Sequence, residues 1–152
     1  MIIRAAALPD IPAAASVAAA AYAAAFAEIL EAETIAPYNA AFFTARFTTS
    51  LTAAHKRLRV AAQNGAIVGF CLMTDGHIDM IFVAPAALGT GAGHALLADA
   101  EASGALSLEC FAANARARRF YERHLWHLAD TYSRPFAGRM RDFVRYERRR
   151  IG

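Results

Sequence analysis

The sequence predicts an α/β domain of the α+β type, with a mixed, mostly antiparallel central sheet of about seven strands flanked by about four helices. Three observations carry this. Asn64-Gly65 separates the runs "RLRVAAQ" and "AIVGFCLMTD", and such a dipeptide between apolar strand-like runs is the strongest short hairpin signal. A second turn, at Asp75-Gly76, leads into "HIDMIFV" and extends an antiparallel meander. Beyond it strand and helix runs alternate, as in "ALSLECF" followed by "NARARRFYERHL".

"MIIRAA" reads as a short strand. "LPDIPAAASVAAAAYAAAF" reads as a helix entered through Asp10, with Pro12 in the first turn, where a missing N–H costs little. Residues 37–54 form a second helical stretch with aromatics at Tyr38, Phe42, Phe43 and Phe47, and the three-strand meander follows. A glycine-rich turn then opens a helix from Gly91 to Ser103. "ALSLECF" is a strand, "NARARRFYERHL" a helix, and "WHLADTYSRPF" and "MRDFVRYERR" are strands around a turn at Gly138. The order β-α-α-β-β-β-α-β-α-β-β fills one domain over residues 1–152, with no internal repeat or linker.

At 152 residues and 57% hydrophobic content the chain can bury a core. No apolar run reaches the roughly 18 residues of a membrane span, and "MIIRAAALPD" lacks the basic and apolar regions of a signal peptide. Cys71 and Cys110 lie inside apolar strand runs and are expected to be reduced core residues, which fits a cytoplasmic protein. No Cys or His pair has ligand spacing, so no metal is expected. The net charge is +3, and Lys56 is the only lysine. The C-terminal arginines (Arg139, Arg141, Arg145, Arg148, Arg149, Arg150) read as a solvated terminal strand and its end; neither nucleic acid nor membrane is an expected partner.

Chemistry enters at "FVAPAALGTGAGHALL", where three alternate glycines precede a helix. A P-loop would need a lysine and a hydroxyl at the helix start, and His94-Ala95 stand there instead. A dinucleotide fingerprint would need GxGxxG, and the spacing here is GxGxG, although Glu109 falls where a ribose-binding acid would stand. Two readings remain: a strand-to-helix corner, or a turn that wraps a pyrophosphate with main-chain amides at a helix N-terminus.

This stretch, followed by "LECFAANARARRFYERHLW", resembles the GNAT acetyltransferase superfamily: a strand ending V-x-P, a glycine turn, then Asn114, Ala117, Phe120, Tyr121 and Glu122 at the spacing of its second signature. The two motifs cover residues 77–126. Leu88 stands where the turn usually opens with Gln or Arg, and Leu125 replaces the glycine that usually ends the helix. The resemblance implies acetyl-CoA as cosubstrate. Ile81, Phe82 and Val83 would lie along the pantetheine, one of their amides polarising the thioester carbonyl. Leu88, Gly89, Thr90, Gly91, Ala92 and Gly93 would hold the pyrophosphate. Asn114, sharing a helix face with Tyr121, would cap the helix and touch the cofactor arm.

By the same resemblance Tyr121 is the general acid that protonates the departing thiolate, and Glu109, ahead of Asp79, is the base; His77 or water alone stays open. In a regular strand Asp79 would share a face with Ile81 and Val83, a parity that a bulge would reverse. Tyr22, Phe26, Glu28, Tyr38 and Phe42 are candidates for the acceptor pocket. The implied activity is N-acetylation of a primary amine on a small molecule or peptide. The alternatives are a catalytically weak acyl-CoA-binding regulatory module of the same fold and a basic nucleic-acid-binding protein. A homodimer stays open.

Overall fold

In the computed structural model, which describes residues 1–149, the chain runs β1 (Ile2–Ala5), α1 (Ile11–Phe26), α2 (Ala32–Ile35), α3 (Ala40–Thr52), β2 (Lys56–Gln63), β3 (Ala66–Thr74), β4 (His77–Val83), α4 (Ala92–Ala102), β5 (Ser107–Phe111), α5 (Ala115–Arg123), β6 (His127–Phe136) and β7 (Arg139–Glu147). Arg150, counted in the basic C-terminal run, lies outside the described residues. All seven expected strands and the four expected longer helices are present; α2 adds a single turn. Asn64 and Gly65 take φ of 53° and 81°, the two left-handed residues a type I′ hairpin needs.

The strands form one sheet in the order β1-β2-β3-β4-β5-β7-β6. Every neighbouring pair is antiparallel except β4 and β5. Those two pair only at His77↔Ser107 and Ile78↔Leu108, then diverge. This gap in the middle of the sheet positions everything that follows.

Each face of the sheet buries its own core. On one, α1 and α3 cover Leu58, Val60, Phe70, Leu72, Phe111 and Phe143, with Phe43 and Phe47 fully buried beneath α3. On the other, Leu96, Leu97 and Ala100 of α4 and Tyr121 of α5 pack on Cys71, Met73, Ile78, Leu108 and Val144. Burying side chains of this size contributes about 1.5–3 kcal/mol each, so the two layers dominate stability. Both cysteines are free, and burial pushes each thiol pKa up to about 12.

Leu8–Phe26, a 3-10 turn plus α1, reaches 19 residues at a mean hydropathy of 1.2, which corrects the expectation that no apolar run is long enough to cross a membrane. Alanine supplies that hydropathy, and the helix buries Ile11, Ala14, Ala15, Ala18, Tyr22 and Phe26 in the core. Asp10 precedes α1 as expected but does not cap it with its side chain. Its carboxylate instead accepts from Arg4 (2.7 and 2.9 Å) and the Ala7 amide (2.8 Å), and these bonds hold its pKa near 2.

Candidate active site

The β4–β5 gap opens into a cleft of 1080 Å³ that runs from the glycine turn, past the gap, to the aromatic residues beneath α1 and α3. At one end the turn is built for bare backbone. Gly89 and Gly91 take φ of 81° and 90°, and a Cβ at either would point into open space. The amides of Leu88 and Thr90 fold back onto Pro85 and Ala87. Among the described residues those of Gly89, Gly91, Ala92, Gly93 and His94 donate to no backbone carbonyl. Five N–H groups without a backbone acceptor thus gather at and just before the start of an 11-residue helix, where the helix dipole favours negative charge. Gly93 faces α5, its Cβ position 3.4 Å from the Phe120 ring, an ordinary van der Waals contact.

Of the residues expected to hold a pyrophosphate, Leu88, Gly89, Gly91 and Gly93 line the cleft. Thr90 and Ala92 do not: the Thr90 hydroxyl donates to Ala87 O at 2.6 Å, and Ala92 is buried. Arg116, Arg119 and Arg123 of α5 and His94 of α4 line the same end, a positive wall the turn motif alone did not reveal. His94 Nδ1 lies 2.8 Å from His124 Nε2, whose own Nδ1 is 2.8 Å from Phe120 O, tying α4 to the end of α5.

Ile81, Phe82 and Val83 pair with Cys71, Phe70 and Gly69 of β3 on one edge and face the gap on the other. Their ladder carries a bulge: Leu72 pairs with Met80 and Met73 with Ile78, leaving Asp79 as the extra residue. The bulge reverses the parity of a regular strand. Ile78, Ile81 and Val83 pack on the α4–α5 side, whereas Asp79 turns to Thr74 and Lys56 on the α1–α3 side.

Tyr121 lies on α5, buried at 7% exposure, and lines the cleft with Asn114 seven residues earlier. Asn114 caps α5, its side chain accepting from the Ala117 amide at 3.2 Å. The helix closes with Trp126 N donating to Tyr121 O (3.0 Å) and Leu125 N to Glu122 O (3.1 Å), the paired bonds of a Schellman motif. The tyrosine is thus held at the helix terminus from both sides. Burial, with the Cys110 and Cys71 thiols adding to it, raises the Tyr121 pKa well above the ordinary value, so its hydroxyl keeps its proton.

The Asp79 and Glu109 carboxylates both line the cleft, one step beyond the last β4–β5 ladder pair. Asp79 accepts from Thr74 Oγ1 at 2.5 Å, with Lys56 Nζ 3.5 Å away. Glu109 is held more firmly. Arg134 Nε donates to its Oε2 at 2.9 Å, Arg134 NH2 to Oε1, and the Tyr132 hydroxyl to Oε2. Partial burial works to raise the Glu109 pKa, but the bonds from Arg134 and Tyr132 outweigh it and hold the carboxyl below its usual range. His77 is turned away, its Nδ1 2.8 Å from Ser107 Oγ.

The family model described as an acetyltransferase (GNAT) domain matches residues 22–146. The chain belongs to the GNAT acetyltransferase family. Among solved structures it is similar to the PaiA N-acetyltransferase of Thermoplasma acidophilum, crystallised with coenzyme A (TM-score 0.78, 16% identity, 97% of this chain and 98% of that one covered). It is also similar to apo YjaB of Escherichia coli (TM-score 0.77, 20% identity, 97% of each chain). A third likeness is the ribosomal-protein-S18-alanine N-acetyltransferase of Escherichia coli (TM-score 0.69, 21% identity, 97% and 92%). No curated protein matches the chain.

On this GNAT scaffold the acceptor candidates divide. Tyr22, Phe26, Tyr38 and Phe42 line the cleft; Glu28 is exposed outside it. The acid that organises that segment is Glu31, which ties Arg139 (2.7 Å) and Arg141 (3.1 Å) of β7 to the α1–α2 connection. Sequence reasoning missed Tyr132 and Arg134. Their i, i+2 spacing on a strand was the available signal, since it puts both on one face.

Proposed function

We propose that the protein is an acetyl-CoA-dependent N-acetyltransferase acting on a primary amine of a small molecule or peptide by direct attack in a ternary complex. The observation that carries this is the continuity of one cleft from the free amides of the glycine turn, through the β4–β5 gap, to two carboxylates and a protonated tyrosine.

The turn amides, with Arg116, Arg119 and Arg123 beside them, suit a diphosphate. The open edge of Ile81–Val83 offers backbone partners to an extended amide-bearing arm, as an added strand would use them. An amide on that edge polarises the acyl carbonyl while the amine nitrogen bonds to its carbon and the carbon–sulfur bond breaks. Tyr121 O–H, kept protonated by its burial, gives its proton to the sulfur as that bond breaks and takes one back from solvent when the products leave. The ammonium proton goes to a carboxylate, directly or through water. From the sequence Glu109 stood first for that task; its engagement by Arg134 and Tyr132 favours Asp79.

Release of free CoA thiol from acetyl-CoA across a panel of amines tests the reading. Tyr121→Phe should lower kcat by about 10²–10⁴ while acetyl-CoA affinity stays near wild type. No amine-dependent thiol release from any panel member would overturn it.

A further inference from the structure

Resting on the amine-acetyltransferase reading, we infer that the acceptor is a monoamine carried on an aromatic body, selected by a ring-lined pocket at the α1–α3 end of the cleft. The rings come from three separate parts of the chain. Tyr22 of α1 stacks on Tyr38 (4.5 Å between centroids, 19° between planes), and Tyr38 lies parallel to Phe136 of β6 (6.3 Å, 10°). Phe42 meets Tyr38 edge-on at 4.9 Å. Tyr38, Phe42 and Phe136 are not buried as core rings are; each keeps surface open to the cleft. Glu31 pins the walls together through Arg139 and Arg141.

Charge argues against a polyamine or a basic peptide. Each carboxylate at the gap already has a cationic neighbour, Glu109 in Arg134 and Asp79 in Lys56. Arg46, on the same wall, makes no ion pair among the described residues. Arg134 and Arg46 line this part of the cleft and Lys56 stands beside Asp79, so both carboxylates are already matched and a second ammonium on the acceptor finds no free anion. Affinity has to come from the rings, whose faces and edges accept a flat apolar body in stacked or edge-on contact.

The test is a titration of the full chain at saturating CoA with 2-phenylethylamine, ethanolamine and spermidine, followed by calorimetry, with thiol release from acetyl-CoA read in parallel. The expected result is 2-phenylethylamine binding at least about tenfold more tightly than either of the others. Tyr38→Leu and Phe136→Leu, each shown folded by its thermal transition, should each lose most of that margin. Binding of 2-phenylethylamine no better than ethanolamine, or tightest binding by spermidine, overturns the inference, even where another amine is acetylated. Selective binding of 2-phenylethylamine with no thiol release from any amine keeps the aromatic site and overturns the acetyltransferase reading instead.

Discussion

Arg134 of β6 reaches across β7, its guanidinium 4.0 Å over the Phe143 ring, to pair with both carboxylate oxygens of Glu109 on β5. Three strands are thereby joined on the α1–α3 face of the sheet. The pair is partly solvated, with Glu109 22% and Arg134 40% exposed, so its worth is about 1 kcal/mol after screening.

That contribution has a pH signature. Because the folded Glu109 pKa lies below its unfolded value, the stabilisation is fully present above about pH 4.3 and is lost as pH falls through the folded pKa. Arg134→Met should therefore destabilise the protein by about 1 kcal/mol at pH 7 and by less at pH 3. Urea unfolding of both proteins at the two pH values measures the difference; an equal gap at both would assign the loss to packing on Phe143.

Leu125 ends α5 at φ 68° and is 84% exposed. A side chain in the left-handed region is strained, and here it recovers almost nothing by burial. Leu125→Gly should raise stability by about 0.5–1 kcal/mol, with the entropy of a freer unfolded chain already deducted. Chemical denaturation gives the value directly, and a destabilised variant would show that Leu125 makes a contact its exposure conceals.

Leu125 also shows what the sequence made legible. Its departure from the usual glycine was visible, and so was the terminator it belongs to, because chain-local signals fix caps and turns. The order of elements along the chain and the place of the glycine turn between a strand and a helix were legible for the same reason. The bulge at Asp79 was not: it arises from how Leu72 and Met73 register against Met80 and Ile78, a relation between strands. Nor was the pairing of Glu109 with Arg134, 25 positions apart and brought together by the β5-β7-β6 order. Asp10 failed in the other direction, since Arg4 took up the carboxylate that the cap would have used.

The glycine turn should discriminate by diphosphate. Gly91→Val places a β-branched side chain at φ 90°, so it strains the turn as well as crowding the amides, and the fold will not be indifferent to it. Comparing CoA with pantetheine, which lacks the diphosphate, largely cancels that general strain. Wild type should bind CoA far more tightly than pantetheine, and Gly91→Val should shrink the ratio by about tenfold or more. Calorimetry showing an unchanged ratio would remove the diphosphate from the turn.

The base is decided by setting Asp79 against Glu109. An amine acceptor is protonated near neutral pH, so a carboxylate that removes its proton gives kcat/KM a rising acidic limb. Glu109 has its oxygens occupied by Arg134 and Tyr132, and the low pKa they impose makes it a weak acceptor of a proton. Asp79 is bound by one hydroxyl, with an ammonium 3.5 Å away, and the bulge turns it toward the acceptor side of the gap. Asp79→Asn should therefore flatten the acidic limb and cost about 10²–10⁴ in kcat/KM. Glu109→Gln should keep the limb and act mainly on KM, because it frees Arg134 inside the acceptor end of the cleft. Matched pH profiles on a turned-over amine decide between them. A flattened limb in Glu109→Gln with a normal one in Asp79→Asn restores Glu109 as the base, and Arg134 would then serve to lower the pH at which it works. A limb that survives in both variants leaves the proton to water.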